Sequence, residues 1–127
     1  MHPEPRPVFP RAIADRLDRA IEVRIETHGS PGEPHWTIIW VVVDAGEVFI
    51  RSYRGAGARW YREAIGGGEV ALLIDGDRYP VRPSQATGAD DIARCSDALE
   101  SKYAGDPATP DMLREEVLDT TLRLVPA

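Results

Sequence analysis

The side chains best suited to chemistry lie in one short stretch, RSYRGAGARWYREA, at residues 51–64. It carries four arginines within twelve residues, at positions 51, 54, 59 and 62. The chain as a whole is acidic, with 15 basic and 21 acidic side chains. A planar guanidinium suits a phosphate or a carboxylate, and the glycines at 55 and 57 let a ligand approach the backbone closely. The stretch therefore predicts an anion site around a glycine-containing turn.

The same stretch also has a structural interpretation in which no ligand is bound. In that interpretation Arg51, Arg59 and Arg62 are solvated, and Trp60 and Tyr61 fill the core beneath them. In the ligand-binding interpretation the two aromatic side chains offer flat apolar surface to a ring or a ribose. The residue types alone leave both interpretations open.

The other reactive groups predict no catalytic residue and no metal site. The histidines at 2, 28 and 35 have no second ligand at metal-binding spacing, so we expect surface or hydrogen-bonded side chains. Cys95 lies on the apolar stripe of a predicted helix, which indicates burial rather than nucleophilic catalysis. The sequence contains no Gly-x-x-x-x-Gly-Lys phosphate loop.

Length and composition are those of an ordinary globular domain, with 127 residues, 43% of them apolar and 28% charged. We expect residues 11–127 to form one domain and the proline-rich residues 1–10 to form an extended arm. The acidic balance argues against a nucleic-acid or membrane-surface partner, and the apolar run at 37–43 is too short to cross a bilayer. A single cysteine and the lack of a signal-peptide layout predict a cytoplasmic protein.

Apolar periodicity predicts six strands with short helices between and after them. The strands are expected at 21–26, 36–43, 47–53, 69–74, 78–83 and 120–126. The helices are expected at 10–20, 58–65 and 90–103, the last capped by Asp90, with another beginning at Thr109-Pro110. Asp44-Ala-Gly and Asp75-Gly-Asp are typical of turns in antiparallel hairpins.

The strand at 36–43 has the strongest consequence for the fold, because nearly every residue in it is apolar or β-branched. We therefore expect it to be covered on both faces. A closed barrel removes the unpaired edges and fills its lumen with one face. This predicts an α+β fold, a six-stranded antiparallel β-barrel with short flanking helices. One short helix is too small to cover the other face, so we also expect a homodimer.

Residues 32–82, GEPHWTIIWVVVDAGEVFIRSYRGAGARWYREAIGGGEVALLIDGDRYPVR, resemble the central part of split-barrel proteins that bind flavin or deazaflavin. That superfamily includes pyridoxamine-phosphate oxidases, deazaflavin-dependent nitroreductases and related uncharacterised bacterial proteins. The nitroreductase branch has a Gly-x-Pro-x-x-x-Pro-Leu strand, a hairpin, a Ser-Lys-Gly-Gly turn, a Trp-Tyr helix and an Asn-Pro-x-Val strand. The matching residues are Gly32, Pro34 and Thr37, then Ser52 and Gly55, then Trp60 and Tyr61, and finally Val70.

Two departures from the family pattern concern the implied cofactor site. The family's turn lysine falls on Tyr53, so Arg54 has to replace it from the neighbouring position, and the strand proline is Ile38. The resemblance then implies that Ser52, Arg54 and Gly55 meet the cofactor's phosphate, with Thr37 beside its ring. Trp60, Tyr61 and Arg62 complete the implied cofactor-binding set.

The resemblance implies an oxidoreductase, similar to nitroreductases or quinone reductases, that acts on a small molecule. Its cofactor would be FMN or a deazaflavin coenzyme, and its relatives are dimers with cofactor sites at the interface. The alternative is a non-catalytic dimeric split-barrel protein that binds another phosphorylated small molecule or no ligand.

Overall fold

The computed structural model describes residues 6–127. The predicted extended arm over residues 1–10 therefore lies partly outside the described residues. Residues 6–10 have no regular secondary structure, and Phe9 among them is buried against the main core.

Seven strands form a single antiparallel sheet in the order β2-β1-β5-β6-β7-β4-β3. The strands are β1 (Val23–His28), β2 (Pro34–Ile39), β3 (Val42–Asp44), β4 (Glu47–Ile50), β5 (Val70–Ile74), β6 (Asp77–Gln85) and β7 (Leu122–Pro126). The helices are α1 (Arg11–Arg19), α2 (Arg59–Ile65), α3 (Ala89–Lys102), α4 (Thr109–Met112) and α5 (Glu115–Leu118), with a 3-10 turn at Gly55–Gly57. The predicted α+β split barrel with short flanking helices is confirmed.

The sheet curls because its first and last strands are consecutive in the sequence. Only Trp40 and Val41 separate β2 from β3, yet β2 pairs with β1 while β3 pairs with β4 at the opposite end of the sheet. The predicted single strand at 36–43 is therefore two strands joined by a bend, which raises the count from six to seven. Beyond this bend β2 has a neighbour on one side only.

The hairpin between β5 and β6 forms where the sequence predicts it. Asp75 and Gly76 have φ angles of 49° and 86°, as the two central residues of a type I′ turn require. Glycine adopts this left-handed conformation at no steric cost. The turn pairs Ile74 with Asp77 and so places Val70, Leu72 and Ile74 inside the barrel.

The barrel lumen holds the main core, and period-two alternation puts its residues there. Val23 and Ile25 of β1 point inward, whereas Arg24 between them is exposed. The other strands and α2 complete the cluster, with Ile39, Val41, Val48, Ile50, Trp60, Tyr61, Leu72, Val81, Leu122 and Leu124.

A second, smaller core lies between the outer side of the sheet and α3. Val42 and Phe49 from the sheet meet Cys95 and Leu99 from α3 and the adjoining Tyr103. The ring of Trp40 stacks on that of Tyr103, with centroids 3.9 Å apart and planes 6° from parallel. The helix thus covers the outer face of the bend and of β3.

Within one chain, residues 36–43 are covered on both faces at β3 but not at β2, where the cover expected from a second copy stays a prediction. Trp36 and Ile38, on the outer face of β2, are 52% and 57% exposed, because α3 reaches only as far as Trp40 and Val42.

The predicted N-cap of α3, Asp90, is wrong. The helix begins at Ala89 with Gly88 at the N-cap, and Asp90 lies within the first turn, where a carboxylate interacts favourably with the helix dipole.

The segment after α3 contains the predicted helix at Thr109-Pro110, but it is one turn long. Proline stands in its first turn, where its missing N–H is tolerated. No helix within residues 6–127 is long and apolar enough to span a membrane.

Candidate functional site

A cavity of about 470 Å³ lies along the edge of β2 that has no neighbouring strand. Residues 37–40 form one wall, and residues of the segment from Arg51 to Trp60 form another. Ala108 and Met112, immediately before and within α4, close a third side. The cavity therefore lies between β2, at one end of the sheet, and the segment that follows β4, near the other end.

Three of the predicted cofactor-binding residues line this cavity, namely Thr37, Arg54 and Trp60. Thr37 comes from β2, Arg54 from the turn after β4, and Trp60 from the first turn of α2. Arg54 is exposed and forms no ion pair within residues 6–127. Trp60 is almost fully buried and also belongs to the lumen core, as the structural interpretation expects.

Ser52 and Gly55, the other predicted phosphate residues, are engaged with each other. The Ser52 hydroxyl donates to the Gly55 carbonyl at 2.7 Å, and the Ser52 amide donates to Thr120 Oγ1 at 3.0 Å. Both residues are buried, and Gly55 has a φ of +75°, a conformation that favours glycine. Their contacts shape the turn that presents Arg54 to the cavity.

Tyr61 and Arg62 do not line the cavity. Tyr61 is buried in the lumen, and its hydroxyl accepts a hydrogen bond from Gln85 Nε2 at 3.4 Å. Arg62 and Arg59 are exposed on α2, as the structural interpretation expects. The structure thus brings three of the seven predicted residues to one cavity and leaves the other four, Ser52, Gly55, Tyr61 and Arg62, outside its lining.

Arg51 is the cavity residue that sequence reasoning placed wrongly. The structural interpretation treats it as solvated, but it is only 1% exposed and lines the cavity. Burial lowers the pKa of its guanidinium below the ordinary value. A signal exists in the alternation of β4, because Val48 and Ile50 point into the lumen and Phe49 points toward α3. Continuing that alternation by one residue places Arg51 beside Phe49 under α3.

The helical segment beyond α3 is fastened over the turn that carries Arg54. Tyr53 Oη donates to Asp111 Oδ2 at 3.1 Å, and Arg114 Nη2 donates to the Tyr53 carbonyl at 3.0 Å. The Arg114 guanidinium lies 5.8 Å from the centroid of the Tyr53 ring. These contacts hold α4 at the mouth of the cavity.

The remaining reactive groups lie outside the cavity and are engaged elsewhere. Nδ1 of His35 lies 3.0 Å from Glu63, which also accepts from Thr27 Oγ1 at 2.8 Å. Nε2 of His28 lies 3.1 Å from Glu26, so both histidines are hydrogen-bonded as predicted. Burial raises the pKa of Cys95 to about 11, which makes it a poor nucleophile. In the described part of the chain, no group of three or more His, Cys, Asp or Glu side chains is arranged so that it could hold a metal ion.

The sequence model of the family DUF2255, described as "Uncharacterized protein conserved in bacteria", matches residues 14–124. No curated protein matches the chain in sequence.

Solved structures match the fold over nearly the whole chain. The conserved hypothetical protein Rv2991 from Mycobacterium tuberculosis is 21% identical, with a TM-score of 0.69 over 99% of this chain and 86% of that one. A putative pyridoxamine 5'-phosphate oxidase from Listeria innocua is 15% identical, with a TM-score of 0.64 over 91% of each chain. An F420-H2 dependent reductase (FDR-A) is 14% identical, with a TM-score of 0.58 over 82% of this chain and 93% of that one.

Other solved structures of this fold are described as a heme storage protein and as an FAD and heme binding protein. These likenesses show that the chain has the split-barrel fold that the resemblance implies.

Proposed function

Because the chain belongs to the bacterial family DUF2255 and has the fold of flavin- and deazaflavin-binding split barrels, we propose that it is a flavin- or deazaflavin-dependent oxidoreductase. Its substrate is a small molecule of the kind reduced by nitroreductases or quinone reductases. The cofactor, FMN or a deazaflavin coenzyme, binds in the cavity beside β2.

The observation that carries the proposal is the composition of the cavity wall. Apolar surface comes from Ile38, Trp40, Trp60 and Met112, while the arginines at 51 and 54 outnumber the single carboxylate, Glu22, so the charged part of the wall is net positive. A flavin-type cofactor combines a flat ring system with a phosphate, so it matches both parts of this wall. The volume of about 470 Å³ also falls within the usual range for cofactor and ligand sites.

The residues present fit such a group, and each has a definable task. Arg54 at the exposed side of the cavity binds the anionic group. Trp60 and Trp40 hold the ring system and keep water from one side of it, while Thr37 contributes a hydroxyl beside it. The bound ring supplies hydride transfer, and the protein supplies binding, orientation and electrostatics.

The test is a set of binding titrations with the purified protein. FMN, FAD, a deazaflavin coenzyme and hemin are each titrated, with ring absorption and tryptophan quenching as the readouts. We expect saturable binding of one flavin-type cofactor, followed by reduction of a nitro- or quinone-type acceptor once the bound cofactor is reduced. If hemin alone binds, or if no flavin type binds, the non-catalytic alternative replaces this proposal.

Arg54→Ala tests the anion contact within the proposed site. We expect the cofactor affinity to fall by about 1.5–3 kcal/mol, the range for a charge-assisted hydrogen bond. The free energy of unfolding without ligand should change by less than about 0.5 kcal/mol, since Arg54 is exposed and unpaired within residues 6–127. Arg59→Ala is the matched control, because Arg59 is exposed in the same segment and lies outside the cavity. Equal affinity in both variants would remove Arg54 from the site.

We further propose that the protein is a homodimer. Trp36 and Ile38 alternate with Thr37 along β2, so their exposed side chains lie together on its outer face. A second copy packed on this face would cover them, since α3 of the same chain does not reach them. We expect a dimer by light scattering at micromolar concentration, and a monomer for Ile38→Glu. A monomeric parent protein would contradict the proposal.

A further inference from the structure

The loop between β1 and β2, residues 29–33, is held by a histidine that contacts two acceptors. His28, the last residue of β1, has its Nδ1 3.1 Å from the Gly32 carbonyl and its Nε2 3.1 Å from Glu26 Oε2. A carbonyl oxygen can only accept a hydrogen bond, and so can an ionised carboxylate. Glu26 is ionised at neutral pH, because hydrogen bonds from Arg78 and its other partners lower its pKa to about 2. Both ring nitrogens of His28 must therefore carry a proton if both contacts are hydrogen bonds.

The other histidine of this hairpin, His35, needs only one proton. Its Nδ1 lies 3.0 Å from Glu63 Oε1, whereas its Nε2 lies 3.5 Å from Glu33, whose side chain is 64% exposed. An imidazole with a single proton, on Nδ1, makes the shorter contact. Of these two histidines, His28 is the one whose surroundings require the doubly protonated, positively charged ring.

The charged groups around His28 come from three elements. Glu26 lies on β1, Glu69 just before β5 has its Oε2 3.9 Å from the His28 Nε2, and Arg78 of β6 donates to both carboxylates. Hydrogen bonds to the Gly32 carbonyl and to Glu26 raise the pKa of His28 above its ordinary value of 6.5, against a burial effect of opposite sign. Because the folded pKa is the higher one, the two-bond arrangement is complete below pH 6.5 and is lost as the pH rises through the folded pKa.

Loss of one proton breaks one particular contact. The remaining proton stays on Nε2, which faces the ionised Glu26, and Nδ1 then turns a lone pair toward the Gly32 carbonyl. Two acceptors repel each other, so the loop is released at Gly32. Within residues 6–127, β2 pairs with β1 alone, and its first residue, Pro34, pairs with His28 itself. We infer that His28 is a pH-sensitive clamp on the β1–β2 hairpin, engaged when its ring carries two protons and open when it carries one.

The clamp acts on the end of β2 that leads to its exposed outer face. The register places Trp36 opposite Glu26, two residues beyond the pair of Pro34 with His28, and Trp36 Nε1 donates to the same carboxylate at 3.3 Å. Rising pH should therefore loosen the loop first and the start of β2 next. Neither His28 nor its partners line the cavity beside β2, so the inference does not depend on the proposed cofactor.

The experiment measures amide hydrogen exchange as a function of pH. The Gly29 amide donates to the Glu33 carbonyl at 2.9 Å and so reports the closure of the loop. Its protection factor, which corrects for the intrinsic pH dependence of exchange, should fall about tenfold between about pH 6 and about pH 9, as expected for loss of one charge-assisted hydrogen bond at a partly exposed site. The amides of β5, which lies between β1 and β6 in the sheet, report global opening and serve as the internal control.

Two variants of His28 give the limits between which the wild type should move. His28→Arg keeps its positive charge and several N–H donors throughout this pH range, so the Gly29 protection should stay high. His28→Leu removes both hydrogen bonds, so the protection should be low at every pH.

A wild-type protection factor of Gly29 that does not change with pH relative to those of β5 would overturn the inference, and so would an equal fall in the wild type and in His28→Leu. The wild-type titration decides the question even if a variant fails to fold.

Discussion

The two halves of the bent strand, at the two ends of the sheet, both place apolar side chains outward, but their surroundings differ. Pro34–Ile39 and Val42–Asp44 both alternate one residue into the barrel and one outward. The outward Val42 is 1% exposed, whereas the outward Ile38 is 57% exposed. The difference arises outside the strand, because α3 packs on one half and leaves the other open. An apolar strand face therefore indicates that a cover is needed without indicating which element supplies it.

The covered half is held by a helix that lies about fifty residues further along the chain. Leu99 packs in the cluster with Val42, and the hydroxyl of Tyr103 donates to the Ile21 carbonyl at 2.8 Å. Lys102 Nζ donates to the carbonyls of Leu17 and Val41 at 3.1 and 2.7 Å. Apolar contact and side-chain hydrogen bonds to backbone carbonyls thus act together at this end.

The open half is held by a charged network on the sheet surface. Glu26 on β1 accepts from Trp36 Nε1 at 3.3 Å and from Arg78 Nη2 at 2.6 Å. His28 Nε2 lies 3.1 Å from the same carboxylate. These bonds orient Trp36 along the sheet while leaving half of its surface exposed. The open face therefore combines apolar side chains with an ionic network beneath them.

The largest expected effect distinguishes the two halves by core truncation. Leu99→Ala should lower the free energy of unfolding by about 2–5 kcal/mol, because it leaves a cavity in the cluster under α3. Ile38→Ala should change it by less than about 0.5 kcal/mol at protein concentrations where a dimer has dissociated. Urea denaturation of both variants measures the contrast. Similar losses in the two variants at low concentration would mean that the open face is covered within one chain.

The same contrast separates the structural features that the sequence predicts from those that it does not. The alternation of Val23 and Ile25 and the turn at Asp75-Gly76 are local signals, and the strands and hairpin they predict are present. The bend at Trp40–Val41 and the open face of β2 are not local, since both depend on where β4 and α3 lie.

The candidate site likewise contains residues that the sequence predicts and one whose burial depends on distant parts of the chain. Thr37 and Trp60 are predicted from the family pattern and Arg54 from the arginine-rich turn, and all three line one cavity. The burial of Arg51 was missed, because its partners Ile92 and Thr121 lie 41 and 70 residues away. The arginine-rich stretch places positive charge around the turn, but tertiary packing decides which of its arginines is buried and which are exposed.

The intermediate effect concerns the ionic network of the open half. Hydrogen bonds from Arg78, His28 and Trp36 lower the pKa of Glu26 to about 2, against a burial effect of opposite sign. Because the folded pKa lies below the ordinary value of 4.5, the stabilisation is complete above pH 4.5 and is lost as the pH falls toward 2. We expect a loss on the order of 2 kcal/mol, since solvent partly screens the exposed Arg78 partner.

Glu26→Gln tests this assignment, since it removes the charge and keeps the shape of the side chain. The variant should be less stable than the wild type at pH 7 and nearly equal to it at pH 2. Glu69→Gln is the matched control, because Glu69 also bonds to Arg78 but is 62% exposed, and it should show little change. A constant difference between Glu26→Gln and the wild type across this range would show that the carboxylate charge is not responsible.

The smallest expected effect concerns the covered half, at alkaline pH. Burial lowers the pKa of Lys102 from 10.5 to about 8, so between these values the folded state releases a proton that the unfolded state keeps. The free energy of unfolding should therefore rise with pH from about 8 to 10.5, and the gain should be lost as the pH falls through 8. We expect the free energy of unfolding to rise by only about 1 kcal/mol, because two carbonyls accept hydrogen bonds from the charged amine and offset part of its desolvation.

The control for this prediction is the variant Lys102→Met. Burial raises the pKa of Cys95 to about 11, so the free energy of unfolding also contains a contribution that falls with pH above pH 9. This contribution is common to the wild type and to Lys102→Met. The difference between their urea denaturation curves at several pH values therefore isolates Lys102, and a pH-independent difference would show that α3 holds the covered half without burying this charge.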